Sequence, residues 1–177
     1  MKSENATSAD NQQERSDKSW WLTGFVDGEG TFSVNIFRNK TSKIGWQCFP
    51  EFVITQGIKS ISVLKEIQNF LGCGNVYINK RKDNHLEDLA KFCVRSREDL
   101  KGIIIPFFEK YTLRTAKKQD FKNFSKIILL MNQNKHLSLE GLYEIAKIVE
   151  KMNHKKRSAY LKSSETTRQT PLKSQRR

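Results

Sequence analysis

The sequence predicts an α+β domain in which four antiparallel strands form one sheet and helices cover one of its faces. Two observations predict this. Apolar residues switch between period two and helical period along the chain, and glycine pairs or serine caps mark the switches. The resulting order is α-β-β-α-β-β-α-α with a further helix at the end, an αββαββα core.

Residues 20–27 are compact and apolar and read as a short helix. Gly24 and Gly28 lie four apart on one face, where they would admit another backbone closely. Gly28-Glu29-Gly30 should end this helix and turn the chain. Residues 31–37 alternate, with Phe32, Val34 and Ile36 on one face and Thr31, Ser33 and Asn35 on the other. A polar, basic loop over 39–45 leads to a second strand, 47–55, and the two should pair as a hairpin. Cys48, Phe52 and Ile54 share its inner face. Gln47, Phe49, Glu51 and Val53 lie opposite.

Ser60 is the expected N-cap of a helix through Leu71, with Ile61, Leu64, Ile67 and Leu71 as its stripe. Gly72-Cys73-Gly74 breaks that helix. Val76 and Ile78 mark a third strand running into a basic turn, Lys80-Arg81-Lys82. Residues 89–95 form a fourth, with Ala90, Phe92 and Val94 inward. Ser96 and Asp99 resemble a capping box before a helix expected to stop at Pro106. Residues 115–131 are helical through Phe121, Phe124, Ile128 and Met131. Ser138 caps a last helix carrying Leu142, Ile145, Val149 and Met152.

At ~150 residues per domain, 177 residues make one domain plus tails. The hydrophobic share, 37%, suffices for one core. No apolar run approaches the ~20 residues of a membrane span, and residues 1–19 lack the apolar stretch of a secretory signal. Three cysteines without CxxC spacing argue against a disulfide framework and for a reducing compartment, whether bacterial cytoplasm or organelle. Residues 1–18 and 154–177 are polar, so composition assigns a flexible N-terminal arm, a domain over 19–153 and a basic C-terminal tail. That tail either grips phosphates or is merely solvated. A net charge of +13 points to a polyanion, most often nucleic acid. The uncovered sheet face, with Ser33, Asn35, Gln47, Glu51, Tyr77, Asn79 and Lys91, is polar and partly basic: it either fits a DNA groove or is the ordinary wet face of an antiparallel sheet.

Residues 22–30 read LTGFVDGEG. They closely resemble the LAGLIDADG motif of homing endonucleases, with Thr23 as the departure. Phe52 to Gln56 is similar to the family's second-strand ending. Residues 105–115 resemble its P-F-x-x-Y-P-L segment, with Thr112 in place of proline, and residues 132–142 its last inter-helix turn. The resemblance spans about residues 19–153 in matching order.

The resemblance implies a site-specific, metal-dependent endonuclease that hydrolyses phosphodiester bonds of double-stranded DNA. Glu29 would stand above the scissile phosphates as a metal carboxylate, and Gly28 would lend a backbone carbonyl. Mg²⁺ is the expected cation, Mn²⁺ could replace it, and Ca²⁺ should bind without supporting cleavage. One or two carboxylates with phosphate oxygens and waters suit such a hard cation. Gln56 would order water. Lys117 would lie near the scissile phosphate, with Arg114 and Lys118 close enough to compete for that role. Gly24, Asp27 and Gly28 would lie at an interface between two motif helices, and one motif copy implies a homodimer with a long, pseudo-palindromic target. The break would cross the minor groove and leave short 3′ overhangs. Family members are usually encoded in mobile introns or inteins, and an intron is the expectation here.

For DNA contacts the resemblance implies Ser33, Asn35, Asn39, Gln47, Tyr77, Asn79 and Lys91 on the sheet face, with Arg38, Lys40, Lys43, Arg81 and Lys82 in loops and turns. Arg and Asn are natural readers of guanine and adenine, whereas Lys more often holds phosphate. Phe37 and Phe49 point to the same face, either to meet thymine methyls or to pack on each other. The rival reading is an intron RNA maturase or DNA-binding repressor that uses this fold without cleavage. No G-x-S-x-G, Walker A, H-E-x-x-H or zinc-ligand spacing occurs.

Overall fold

The structure, a computed structural model, describes residues 3–80, 87–152 and 160–163, with side chains from Asp10 onward. Helix α1 (Ser3–Glu29) leads into β1 (Gly30–Arg38) and β2 (Trp46–Gly57), then α2 (Ile61–Leu71), β3 (Asn75–Asn79) and β4 (Leu89–Val94). Helices α3 (Arg97–Asp99), α4 (Ile105–Lys110), α5 (Lys117–Asn132) and α6 (Leu139–Val149) complete the order. The sheet runs β1-β2-β4-β3, and β4 is antiparallel to both its neighbours. The α+β reading therefore holds, with the expected sequence of elements.

The chain divides into two compact units, Met1–Phe32 with Glu51–Lys118, and Ser33–Pro50 with Gln119–Arg177. In the first, Phe32 stacks on Phe52 at 4.9 Å between ring centroids, and Phe92 and Phe108 meet Phe52 edge-on at 6.2 and 5.6 Å. Leu22, Val26, Leu64, Ile67, Leu100 and Ile104 are buried in the same unit. In the second, Val34, Ile36 and Cys48 are buried, as are Phe121, Phe124, Ile127 and Ile128 from α5 and Leu142 and Ile145 from α6. The Cys48 and Met131 sulfurs lie 3.7 Å apart.

Capping follows the sequence in two places. Ser96 Oγ accepts from Asp99 N at 3.2 Å, and Ser138 Oγ accepts from Gly141 N at 3.1 Å. Ser60 occupies the N-cap position of α2 but makes no side-chain capping bond, because a 3₁₀ turn, Ile58–Ser60, leads into the helix. Gly72 takes the left-handed conformation (φ 69°) that ends α2. The helix expected to stop at Pro106 continues to Lys110. A π-helical turn, Leu100–Ile104, intervenes, in which the Ile105 N–H reaches the Leu100 carbonyl, and Pro106 follows it in the first turn of α4.

Three further differences concern exposure and the ends. Residues 3–18 continue the motif helix as part of α1. Ala, Glu, Gln, Arg and Lys are good helix formers, Gln13 and Asp17 bond at spacing four, and an already formed end removes the nucleation cost. Val53, predicted on the outer face, is nonetheless buried, and stands opposite buried Cys93. Of the residues assigned to a C-terminal tail, Tyr160 and Leu161 are buried, and Tyr160 donates to the Leu139 carbonyl at 2.8 Å. Their aromatic and aliphatic surface, beside Trp46 at 5.1 Å, drives this docking. The rest of that segment, 154–159 and 164–177, lies outside the described residues.

Phe52 is fully buried among three rings. Phe52→Ala should cost about 3–5 kcal/mol of stability, read as a lower urea midpoint with an unchanged slope.

Candidate active site and nucleic-acid interface

Helix α1 turns one stripe inward: Ser19, Leu22, Thr23, Val26 and, just past its end, Gly30 are buried. Thr23, the departure from the motif, satisfies its hydroxyl on the Ser19 carbonyl at 2.8 Å. Gly30 has to be glycine because a Cβ there would meet Val26 Cγ1 at 2.5 Å and the Val26 carbonyl oxygen at 2.9 Å. The opposite stripe carries Trp21, Gly24, Phe25 and Gly28. Trp21 and Phe25 stack at 5.3 Å, and nothing lies within 4 Å of where a Cβ on either glycine would stand.

Asp27, half-buried at the end of α1, ties this helix to the start of α5. Its carboxylate accepts from Arg114 N at 2.8 Å, Thr115 N at 3.1 Å and Thr115 Oγ1 at 2.7 Å. Thr115 Oγ1 in turn accepts from Lys117 N at 3.3 Å. Lys117 Nζ then reaches the carbonyls of Asp27 and Gly28 at 3.0 and 2.5 Å. Of the three basic candidates, the structure brings Lys117 to the motif. Asp27, expected at a helix–helix interface, spends its carboxylate inside its own chain. Burial pushes its carboxyl up, but the hydrogen bonds from Arg114 and Thr115 and the Lys117 charge outweigh this and hold it below the ordinary 3.8.

Glu29 is exposed at the same helix end. The Gly28 carbonyl and the Glu29 carboxylate are hard oxygen donors of the kind Mg²⁺ takes, and the carbonyl already receives a cation, the Lys117 ammonium. The donor set thus fits a divalent ion. Among the described residues no three His, Cys, Asp or Glu side chains cluster as a metal site. Gln56 is half-buried on β2 opposite Ala90, on the face of Phe52 and Ile54.

In the second unit, Ser33 is half-buried and Asn35 exposed on β1, while Lys40 and Lys43 are exposed in the following turn. Asn39, expected to meet a base, serves that turn. Its Oδ1 accepts from Thr41 N and Oγ1 at 3.0 and 2.8 Å, and its Nδ2 donates to Gln47 at 2.7 Å. Arg38 lies over the Trp46 ring at 4.5 Å. Phe37 and Phe49 pack on each other at 6.3 Å. In the first unit, Tyr77 and Asn79 are exposed on β3, and Lys91 pairs with Glu51 at 3.6 Å. Arg81 and Lys82 lie outside the described residues. Sequence reasoning missed Arg95, which bonds Glu51 at 3.2 Å. The signal was present, since Lys91, Cys93 and Arg95 continue one alternation.

Asp27→Asn should destabilise the protein at neutral pH, because an amide keeps one acceptor oxygen where the carboxylate uses two, for Arg114 N and for Thr115 N and Oγ1. Since the native carboxyl titrates below its ordinary 3.8, the carboxylate's contribution is full above that value and disappears as pH falls through the native one. Thermal melts of both proteins between pH 7 and pH 2 should therefore converge at the acid end.

Residues 22–128 match the sequence model of the LAGLIDADG endonuclease family. Probable intron-encoded endonuclease 2 of Neurospora crassa is 43% identical over 126 residues, which cover 71% of this chain and 27% of that protein. The crystal structure of the homing endonuclease I-TnaI superposes with a TM-score of 0.73 at 39% identity, covering 84% of this chain and 96% of that one. I-SmaMI, bound to uncleaved DNA target in the presence of calcium ions, gives 0.70 at 33% identity over 77% of this chain and 45% of its own. The chain spans between 24% and 41% of the first curated relatives it matches. With the motif helix, the four-stranded sheet and the α1–α5 junction all in place, the chain belongs to the LAGLIDADG endonuclease family.

Proposed function

We propose that this chain is a site-specific double-strand DNA endonuclease of the intron-encoded kind, acting with a divalent cation, Mg²⁺ first. The observation that carries the reading is the end of α1, where Lys117 bonds the Gly28 carbonyl and the next residue, Glu29, is exposed. Glu29 and the Gly28 carbonyl would hold the cation, which would supply charge neutralisation on the phosphate and an activated water. Lys117, which bonds the Asp27 and Gly28 carbonyls here, would release the Gly28 carbonyl to the cation and offset the phosphate charge as the leaving oxygen departs. Gln56 orders the attacking water. The exposed sheet residues and the basic β1–β2 turn hold the duplex.

One motif helix brings one such carboxylate, and two strands must be cut. The open stripe of Trp21, Gly24, Phe25 and Gly28 therefore packs on the same stripe of a second copy. The resulting homodimer reads a pseudo-palindromic site, cuts across the minor groove and leaves short 3′ overhangs.

The test is cleavage of intron-insertion-site duplexes with Mg²⁺ or Ca²⁺, comparing wild type with Glu29→Gln. Cutting by wild type in Mg²⁺ alone, with the variant binding at equal or higher affinity but not cutting, is expected. A Glu29→Gln protein that cuts at the wild-type rate removes the metal assignment, and wild type that binds without cutting moves the reading to a maturase or repressor. Gly24→Leu should shift sedimentation from dimer to monomer, because the added side chain separates the helices. A variant that remains dimeric excludes this interface.

A further inference from the structure

Arg38 and Trp46 stand abreast at the base of the β1–β2 turn, which the Asn39 N–H closes on the Gly45 carbonyl at 3.0 Å. Arg38 is exposed, as are Lys40 and Lys43 in the turn, whereas Trp46 is buried. The Arg38 guanidinium carbon lies over the Trp46 ring, 4.5 Å from its centroid. The same indole meets Tyr160, whose ring stands at 85° to it with centroids 5.1 Å apart. Tyr160 is only 4% exposed, and its hydroxyl donates to the carbonyl of Leu139, the first residue of α6, at 2.8 Å. Leu161 beside it is buried as well. A chain of three contacts therefore runs from α6 through Tyr160 and Trp46 to an exposed cation, all within the second unit.

A cation over an indole face is held by the ring quadrupole, so the place of the charge follows the place of the ring. A long side chain at a strand end otherwise gives up much rotamer freedom when it meets a ligand. Resting on a fixed ring, it has given up part of that freedom beforehand. The ring is only as fixed as what packs on it. Tyr160 packs on Trp46 from far along the chain and is itself tied to α6. A duplex phosphate is drawn to a charge held at the right point, whichever way the guanidinium plane turns. The exposed lysines of the same turn suit a backbone contact there.

We infer that Tyr160 is a positioning residue for DNA binding: packed on Trp46, it fixes the ring that carries the Arg38 guanidinium and so sets a contact between Arg38 and a backbone phosphate. The inference rests on the proposed DNA-binding reading. It gives the apolar pair at 160 and 161 a task beyond burying its own surface. With that pair undocked, Trp46 loses its aromatic neighbour and Arg38 keeps its charge without its place.

The test is a double-mutant cycle on the full chain: affinity for a mixed-sequence DNA duplex in Ca²⁺, across a salt series, at a temperature below every variant's melt. Arg38→Ala should lower affinity about 10-fold and flatten the salt slope by about 1. Tyr160→Leu keeps an apolar side chain but removes the ring, and should lower affinity about 3- to 10-fold. In the Arg38→Ala background it should cost no further affinity, although its effect on the melt is the same in both backgrounds. Tyr160→Phe should restore most of the affinity that Tyr160→Leu loses. Should Tyr160→Leu not fold, Tyr160→Met takes its place in the cycle. If the tyrosine substitution leaves affinity unchanged, or costs as much without Arg38 as with it, Tyr160 is structural only and the inference is overturned while DNA binding stands. If Arg38→Ala binds like wild type, the Arg38 contact is overturned in the same way. If wild type binds no duplex, the DNA-binding reading falls and the inference with it.

Discussion

One carboxylate joins the two ends on which the candidate chemistry stands. Asp27 closes the last turn of α1 and at the same time receives the first free N–H groups ahead of α5. A helix start leaves such donors unsatisfied, and a carboxylate there is favoured by both hydrogen bonding and the helix dipole. The consequence is positional. With Arg114 and Thr115 held, Lys117 has a short reach to the Gly28 carbonyl, beside Glu29. Aspartate at this motif position is therefore more than a helix-ending residue. It sets where the lysine stands relative to the acidic residue two places further along the chain.

The architecture was legible wherever a periodic signal met a clean boundary. Phe32, Val34 and Ile36 alternate and are buried, and Gly72 ends α2 in the left-handed conformation. Legibility failed where a local rule had a second solution. Pro106 usually ends a helix, but a π-helical turn shifts the hydrogen-bond register and lets the chain continue. A polar stretch reads as irregular by composition, yet residues 3–18 extend a helix that already has a packed end. Tyr160 and Leu161 form a small apolar island in a basic segment, too brief to show periodicity and large enough to dock.

The candidate site was legible through its motif and less so through its surface. LTGFVDGEG placed Gly28 and Glu29 at one helix end, and the ambiguity among Arg114, Lys117 and Lys118 was a matter of reach that spacing alone does not fix. On the sheet face, residue type gave candidates without partners. Asn39 looks like a base reader until its three turn bonds are seen. Lys91 looks like a free cation until Glu51 appears beside it. Alternation assigns faces, but contacts across strands decide which polar groups are already committed.

The charge pattern also bears on how the site is completed. Carboxylates brought close together resist joint ionisation unless a cation lies between them. Among the described residues of this chain the acidic groups do not gather into such a cluster, and Asp27 is neutralised locally by backbone donors and Lys117. That leaves Glu29 at the end of a helix whose neighbouring stripe is open, small at Gly24 and Gly28 and aromatic at Trp21 and Phe25. Small residues permit close approach, and the aromatic pair offers apolar area, with Trp21 46% exposed and Phe25 half-buried. On the proposed reading these are one requirement, because the surface that buries the aromatics against a second motif helix also brings a second acidic residue to the first. On that reading a second motif helix, from another copy or from elsewhere in a longer chain, would meet the same stripe, and a second acidic residue would then join Glu29 at the metal.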